Sequence, residues 1–407
     1  MSPAKSVVAA LAAAMLTTTG LAGTAVPASS TEVRAFTATT ADETQAARAV
    51  RQRGKLLMYP QLAHPGAKPM SPSRAKSSMA AKFKPAKRGR TVVLQRQRGK
   101  SWVNVAKARQ DGRGIAEFNA PYARRGKVQT YRAYTVRYKG LPKTTTRAVS
   151  AAKWGNADLS DTFDGSALPA NWAHRPTNPP YQGKRKCAVA RDHPDNILVS
   201  GGALRLSVTR NPRGRLIGKD PLTGNPIYQK RCRTDYGNYD YRYTGHVSTQ
   251  HSKAFKYGFA AARLKFHREA GQHGGLWLMP ATSTVDNPGT EIDVIEFFGD
   301  RANNNTEMSS FVQRVWTGDK DNTCGLVSNT RRYGSDWWTK YHVFSVEWTR
   351  KGYTFRIDGK KTCRTSRLVS HTAEYLILSI QANDYELKYS KNLPQHMYVD
   401  WVRFWQL

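Results

Sequence analysis

The sequence Glu-Ile-Asp-Val-Ile-Glu at residues 291–296 combines three acids with apolar residues in a strand-like run. Successive side chains of a β-strand point to opposite faces, so Glu291 and Asp293 share one face. Strict alternation would place Glu296 on the other face, but one extra residue in a β-bulge returns it to the first. The sequence therefore predicts a bulged strand with three carboxyl groups on one face and a core on the other.

Three carboxyl groups this close cannot all ionise easily, so their pKa values must separate. The separation provides one ionised and one protonated carboxyl group at the same pH. Acids on one strand face are often only a solvated surface, and the flanking sequence argues against that interpretation here. Gly289-Thr290 precede the run, Phe-Phe-Gly-Asp follows it at 297–300, and Gly-Gly-Leu-Trp-Leu-Met-Pro stands upstream at 274–280.

These motifs resemble glycoside hydrolase family 16, whose signature is Glu-x-Asp-x-Glu, or Glu-x-Asp-x-x-Glu in a bulged, laminarinase-like branch. The chain has the bulged form. The resemblance covers residues 158–407 and extends to further segments in the family's order. These segments are 161–165, 202–206, 243–249, 257–266, 342–348, 355–359 and 397–404.

Residues 151–407 consist of short strand-like runs separated by Gly, Pro, Asn and Asp, and no long run of helical period competes with them. This pattern predicts an all-β sandwich. The resemblance implies a concanavalin-like jelly roll, a β-sandwich of two curved antiparallel sheets with the cleft on the concave sheet.

The resemblance also implies roles for the three acids. Glu291 would be the nucleophile, Glu296 the general acid/base, and Asp293 would hold Glu291 and help set the proton balance. A retaining glycosidase needs its two carboxyl groups about 5–5.5 Å apart, which one strand face can provide. We expect no cofactor to be required for catalysis.

Sugar rings stack on aromatic side chains, and Trp277, Trp316 and Tyr243 are the candidates for substrate binding. A core position is the default for an aromatic residue, and Trp277 is the exception we favour because it lies upstream of the acids. Gln313 stands in the region where many relatives carry a histidine. Its amide can donate a hydrogen bond to a sugar hydroxyl but does not titrate.

The resemblance further implies a structural Ca²⁺ ion on the convex side. Asp400 and the carbonyl of Gly202 match positions used there. The alternative is that Asp400 only caps a turn or pairs with Arg403.

Residues 1–28 have the features of a secretory signal peptide, with Lys5 before an Ala- and Leu-rich run and a small-residue cleavage site at residues 26–28. No second apolar run of membrane-spanning length follows. We expect a secreted, extracellular monomer without a membrane span. Residues 29–78 are interpreted as linker or propeptide.

The four cysteines fit an oxidising compartment. They allow three pairings. We favour Cys187 with Cys232 and Cys324 with Cys363, because each pair brackets one loop-rich segment near the expected cleft.

Residues 79–150 have strand-like runs and hairpin turns typical of a small β-sandwich, immunoglobulin-like or fibronectin-like, that precedes the catalytic domain at 151–407.

Positive charge is concentrated in and just before this segment, since residues 51–150 contain 25 Lys and Arg and only two acids, within a chain of net charge +35. A solubilising surface or adhesion to an anionic cell-wall or extracellular polymer would explain it. No nucleic-acid-binding motif accompanies the charge, so we expect no nucleic acid partner. We expect this module to be separable from hydrolysis.

Together these features predict a secreted retaining endo-acting glycoside hydrolase of a β-linked polysaccharide, β-1,3-glucan or mixed-linkage β-glucan. One alternative is a hydrolase of galactan or an anionic polysaccharide, of the agarase or carrageenase type. The other is an inactive polysaccharide-binding protein.

Overall fold

The computed structural model describes residues 51–407 except residues 287, 301–305 and 316. The expected signal peptide at 1–28 and residues 29–50 of the expected linker lie outside the described residues. Within the described part of the chain, no helix has the length and apolar character needed to cross a membrane.

The segment before residue 151 is built from short antiparallel strands joined by tight turns such as Gly99-Lys100. Its strands are β1 (Arg53–Ala63), β2 (Lys76–Lys84), β3 (Thr91–Arg98), β4 (Ser101–Arg109), β5 (Ile115–Pro121), β6 (Ala123–Arg124), β7 (Lys127–Val128), β8 (Thr130–Thr135), β9 (Thr144–Thr145) and β10 (Val149–Ser150).

Eight of these strands form two sheets that share one apolar core, and β6 pairs with β7 in a separate hairpin. One sheet has the order β1-β2-β5, and the other has the order β10-β8-β3-β4 with β9 beside β8. Strand β8 alternates buried and partly exposed positions, which is the period-2 pattern of a strand with one face on a core. The shared core includes Leu56, Met79, Phe83, Leu94 and Tyr131. The predicted strands are present, and the immunoglobulin-like or fibronectin-like assignment stays a prediction.

The interpretation of residues 29–78 as a linker does not hold from residue 53 onward, and the propeptide alternative stays a prediction. Strand β1 pairs with β2 along most of its length, and it buries Leu56, Met58 and Leu62. The period was missed because β1 contains register shifts between Met58 and Ala63, which interrupt its alternation. We call residues 51–150 the N-terminal module below.

Strands are also the main regular secondary structure of the segment after residue 151. Its elements are β11 (Leu159–Thr162), β12 (Ala173–His174), β13 (Ala188–Ala190), β14 (Ile197–Ser200), β15 (Ala203–Arg210), β16 (Arg215–Lys219), β17 (Pro226–Gln229), β18 (Arg231–Thr234), β19 (Gly237–Asp240), β20 (Arg242–Ser248), β21 (Ala254–Phe255), β22 (Gly258–Lys265), β23 (His273–Pro280), β24 (Thr290–Asp300), β25 (Thr306–Arg314), β26 (Lys320–Leu326), β27 (His342–Thr349), β28 (Gly352–Ile357), β29 (Lys360–Thr365), β30 (Glu374–Gln381) and β31 (Gln395–Gln406). Short 3-10 helices lie at Pro72–Arg74, Ala151–Trp154, Gly183–Arg185, Thr330–Arg332 and Leu387–Tyr389.

Two antiparallel sheets face each other in this segment. The site sheet has the order β20-β30-β23-β24-β25-β26. The back sheet has the order β14-β15-β31-β22-β27-β28-β29, with β11 also on β31. Their inner faces bury one large apolar cluster that includes Leu264, Ile292, Phe297, Leu378 and Val402. The all-β jelly-roll prediction is confirmed for this segment, and β24 is an interior strand of the site sheet.

The N-terminal module packs on the outer face of the back sheet, within one compact unit at residues 49–407. Leu62 and Ala75 join an apolar cluster with Phe259, Trp401 and Trp405. Hydrogen bonds cross the same contact, and the Arg403 guanidinium donates to Gln61 Oε1 at 2.9 Å. The module therefore buries part of the back sheet, contrary to the separable unit we expected.

All four cysteines are paired, as Cys187–Cys232 and Cys324–Cys363. This is the pairing that the sequence favours. The first bridge anchors the hairpins β16–β17 and β18–β19, and the second joins β26 to β29.

Candidate active site

The predicted bulge lies in β24. Asp293 is opposite Phe311 on β25 and Glu296 is opposite Ser309, so three steps along β24 match two along β25. The register against β23 shifts at the same place, because Trp277 faces Asp293 while its neighbour Leu276 faces Ile295. The bulge brings Glu296 back to the face of Glu291, and both side chains line the same cavities.

Local sequence explains why the strand bulges here. Val294 and Ile295 are adjacent and both are buried in the core, which strict alternation would forbid. Ile292 and Phe297 bury their side chains on either side of them. The Val294 carbonyl accepts a hydrogen bond of 2.8 Å from the Ser310 hydroxyl, so a side chain satisfies the backbone at the irregularity.

Glu291 and Asp293 form a hydrogen-bonded pair on this face. Burial raises the pKa of Glu291, a hydrogen bond from Gln313 opposes that rise, and the charge of Glu296 adds to it. Asp293 is only 2% exposed, and burial together with the charges of Glu291 and Glu296 holds its pKa well above the ordinary value. Burial and the neighbouring charges therefore favour the protonated form of Asp293, which can donate a hydrogen bond to Glu291.

Glu296 has different neighbours. The Ser309 hydroxyl donates to Glu296 Oε2 at 3.0 Å. His273 Nε2 lies 3.7 Å from Glu296 Oε1, and His273 Nδ1 lies 2.8 Å from Glu386 Oε1. Sequence reasoning missed His273 and Glu386. His273 directly precedes the run at 274–280, which is a signal that could have been followed, whereas nothing local marks Glu386.

Two cavities meet at the acids, and each is lined by Glu291, Glu296, Lys184 and Asn383. Other side chains distinguish them. The first also contains Phe298, Ser309, Phe311, Gln313, Lys320 and Tyr385. The second also contains Thr177, Gln182, Arg185, His273, Trp277 and Gln381. The cleft thus extends from the acids in two directions.

The predicted binding residues have different outcomes. Trp277 lines the second cavity, its Nε1 donates to Ser379 Oγ at 3.0 Å, and the Arg175 guanidinium lies 5.4 Å from its ring. Gln313 lines the first cavity opposite Glu291 on β25. Trp316 lies outside the described residues.

Tyr243 lines neither of the two cavities that contain the acids. It lies on β20 opposite Thr209 of β15, and the Arg191 guanidinium covers its ring at 4.5 Å. The prediction of Tyr243 as a stacking platform is therefore not supported by its position. Alternation in β20 does not reveal that this end of the strand pairs with β15, away from the acids.

The expected Ca²⁺ position has a different occupant. Asp400 is 3% exposed, pairs with the fully buried Arg263 through Oδ2, and accepts from Met70 N at 3.2 Å. Gly202 lies nearby, facing Pro69 and Asp164. In the described residues, no group of three or more His, Cys, Asp or Glu is placed to hold a metal ion. The residues present do not fit Ca²⁺, because a guanidinium already supplies the positive charge at Asp400. Pairing of Asp400 with Arg403, the other expectation, is also replaced by Arg263.

The sequence model of glycosyl hydrolases family 16 matches residues 199–403, which is half of the chain and contains β24 with its three acids. The chain belongs to this family. It is therefore a glycoside hydrolase of family 16, and the expected enzyme class is confirmed. No curated protein matches the sequence.

Several solved structures have a similar fold. The laminarinase catalytic domain of Thermotoga maritima is 19% identical, with a TM-score of 0.47 over 62% of this chain and 98% of that one. The laminarinase of Rhodothermus marinus is 17% identical, with a TM-score of 0.46 over 62% of this chain and 97% of its own. The corresponding values for a structure of LamAcat from Zobellia galactanivorans are 16% identity, a TM-score of 0.46, and coverage of 63% and 99%.

Proposed function

We propose that this family 16 enzyme is an exported, monomeric, retaining endo-hydrolase of β-1,3-glucan or mixed-linkage β-glucan. The observation that carries the proposal is the bulge in β24, which turns Glu291 and Glu296 to one face of one cleft. The bulged signature also resembles that of laminarinases. The two disulfides are typical of proteins from oxidising compartments.

Double displacement assigns one task to each acid. The Glu291 carboxylate attacks the anomeric carbon while the Glu296 carboxyl gives its proton to the departing glycosidic oxygen. The products of this step are a glycosyl ester on Glu291 and an ionised Glu296. Glu296 then takes a proton from water as that water attacks the anomeric carbon and releases Glu291. Asp293 holds Glu291 through its hydrogen bond and keeps its own proton throughout.

The shape of the cleft favours internal cleavage. Because the acids lie where two cavities meet, a polysaccharide chain has room on both sides of the scissile bond. Trp277 in one cavity and Phe298 in the other provide apolar faces for sugar rings. These features suit an endo-acting enzyme better than one that removes terminal sugars.

A substrate panel tests the proposal. We expect laminarin or lichenan to be cut to a ladder of oligosaccharides, with the β-anomer formed first in a proton NMR time course. Preferred cleavage of agarose or carrageenan would replace the glucan assignment with the galactan alternative. Binding without release of reducing ends from laminarin, lichenan, agarose, carrageenan or xylan would indicate a polysaccharide-binding protein. First formation of the α-anomer would overturn the retaining mechanism.

A second function is favoured by the N-terminal module, which we propose adheres to an anionic cell-wall or extracellular polymer. The module has a cavity of about 580 Å³ lined by cations. Its two acids lie elsewhere and accept from backbone N–H groups, Asp111 from Arg113 and Ile115, and Glu117 from Lys361. The cations of this basic cavity are Arg96, Arg98, Arg124, Arg125 and Lys127.

Charge reversal in the full chain tests this adhesion. Arg124→Glu with Arg125→Glu should release the protein from polygalacturonate at lower salt than the wild type. Lys82→Glu with Lys84→Glu changes the net charge equally at exposed positions outside the cavity, and should have a smaller effect. Retention by the wild type should weaken as salt rises, because exposed charges are screened beyond about 8–10 Å. Equal losses of retention in both double variants would show that adhesion depends on net charge and not on the basic cavity.

A further inference from the structure

A chain of three titratable groups begins at Glu296 in the cleft and continues inward through two buried side chains, His273 and Glu386. His273 is 5% exposed and Glu386 is 2% exposed. His273 Nδ1 is within hydrogen-bond distance of Glu386 Oε1, at 2.8 Å, and its Nε2 faces Glu296 Oε1 at 3.7 Å. The second distance is too long for a direct hydrogen bond, and a shift below 1 Å in the side chains would make it one.

Both ends of the chain are held in place. Glu386 Oε2 accepts from Asn383 N at 2.8 Å, so its other oxygen is fixed toward the histidine. The His273 ring packs against Phe298, with 5.4 Å between ring centroids. Because Nδ1 is engaged by a carboxylate, Nε2 is the nitrogen that faces Glu296.

The charges around His273 favour its imidazolium form. Burial by itself would lower the pKa of His273, but the Glu386 carboxylate, with Glu296 adding to it, raises that pKa above its ordinary value. Arg185, on the helix at 183–185, opposes this effect. The neighbouring His267 and His246 add no charge at neutral pH, since burial lowers the pKa of His267 to about 3 and that of His246 well below its ordinary value.

We infer that His273, held by Glu386, is a positioning residue that stabilises the ionised form of Glu296 when it has given its proton to the leaving group. The inference rests on the acid/base role proposed above for Glu296. In the first step the proton moves from Glu296 to the glycosidic oxygen, and the imidazolium N–H of His273 donates to the new carboxylate. In the second step Glu296 recovers a proton from water. His273 keeps its own proton, so no further reactant is needed.

This role makes the first step depend on His273 more than the second. Substrates with poor leaving groups need full proton transfer from Glu296, whereas activated aryl glycosides do not. His273→Gln should lower kcat on the polysaccharide at least about tenfold. This loss should be smaller than the 10²–10⁴-fold that general acid/base catalysis itself contributes. The substitution should leave KM and the rate on a dinitrophenyl glycoside nearly unchanged. The basic limb of the pH profile should move to higher pH, because loss of a neighbouring positive charge disfavours the ionised form of a carboxyl group.

A set of matched variants separates this role from a structural one. Glu386→Gln keeps the shape but removes the charge that holds the imidazolium, and should show the same kinetic pattern as His273→Gln. His396→Gln, at a half-buried histidine that contacts Ser207 on the back sheet, should leave the kinetics unchanged. In a Glu296→Ala background, His273→Gln should cost almost nothing further.

Two results would overturn the inference. One is equal loss on activated and natural substrates with an unmoved pH profile. The other is additive losses when His273→Gln and Glu296→Ala are combined. If Glu296→Ala loses no more activity on substrates with poor leaving groups than on activated ones, the acid/base role proposed for Glu296 is wrong, whatever the result for His273→Gln.

Discussion

The Arg263 guanidinium pairs with the Asp400 carboxylate beneath the chain at residues 64–70, and both side chains are buried. Arg263 also donates to the carbonyls of His64 at 2.6 Å, Lys68 at 3.0 Å and Gly66 at 3.2 Å. One cation thus joins β22, β31 and the segment that leads from β1 to β2. Arg263 of the back sheet therefore holds the N-terminal module through hydrogen bonds to its backbone carbonyls.

Loss of Arg263 should be strongly destabilising. We expect Arg263→Met to lower the free energy of unfolding by about 3–5 kcal/mol, because it leaves Asp400 buried without its partner. Lys340→Met, in the exposed pair with Asp336, should cost less than about 1 kcal/mol. Urea unfolding followed by tryptophan fluorescence measures both. The double variant Arg263→Met, Asp400→Leu should be more stable than Arg263→Met alone, and equal losses in Arg263→Met and Lys340→Met would contradict a structural role for the pair.

Removal of the N-terminal module should damage the catalytic unit. A chain that begins at residue 151 exposes Phe259, Trp401 and Trp405, which are at most 2% exposed in the structure. We expect such a chain to aggregate and to melt at a lower temperature than one that begins at residue 51. Size-exclusion chromatography and thermal melting provide the measurement. A truncated protein that stays monomeric with an unchanged Tm would restore the separable module expected from the sequence.

The acids should respond differently to truncation of their side chains. Glu291→Ala should lower kcat on the order of 10⁴-fold or more, and azide should restore turnover as the α-glycosyl azide, because azide replaces the nucleophile. Glu296→Ala should lose about 10²–10⁴-fold on polysaccharide and little on a dinitrophenyl glycoside. Product analysis by NMR identifies the azide. A β-azide from Glu291→Ala would contradict the assignment of Glu291 as nucleophile.

Local sequence was sufficient to predict the bulge and the shared face of Glu291 and Glu296, because both depend on strand period within six residues. Both disulfide pairings were also predicted correctly, and Gln313 lies in the first cavity, where its role stays a prediction. The contacts that sequence reasoning missed are long-range: His273 and Glu386 are 113 residues apart, and Arg263 and Asp400 are 137 apart. Only the register of β22, β23, β30 and β31 brings these pairs together. The misplacement of Tyr243 has the same origin, since its partner strand β15 cannot be identified from alternation.

Asp293 should be a source of instability at neutral pH. Its pKa in the folded protein is well above the ordinary 3.8, so above pH 3.8 the folded state binds more protons than the unfolded state does. The free energy of unfolding therefore declines as pH rises above 3.8. We expect Asp293→Asn to be less active but to have a higher Tm at pH 7, and its Tm should depend less on pH. The comparison is a series of melting curves from pH 4 to pH 8. Parallel curves for the two proteins would show that Asp293 titrates normally.

Gln313 should set the acid limb of the pH profile. Its hydrogen bond to Glu291 favours the ionised carboxyl, so Gln313→Leu should raise the pKa of Glu291 further. A hydrogen bond to a charged group contributes about 1.5–3 kcal/mol, which corresponds to an upward shift of about 1–2 pH units in the acid limb of kcat/KM. Gln406→Leu, at an exposed end of β31, is the matched control and should leave the profile unchanged. An acid limb that stays in place in Gln313→Leu would mean that the hydrogen bond does not control the ionisation of Glu291.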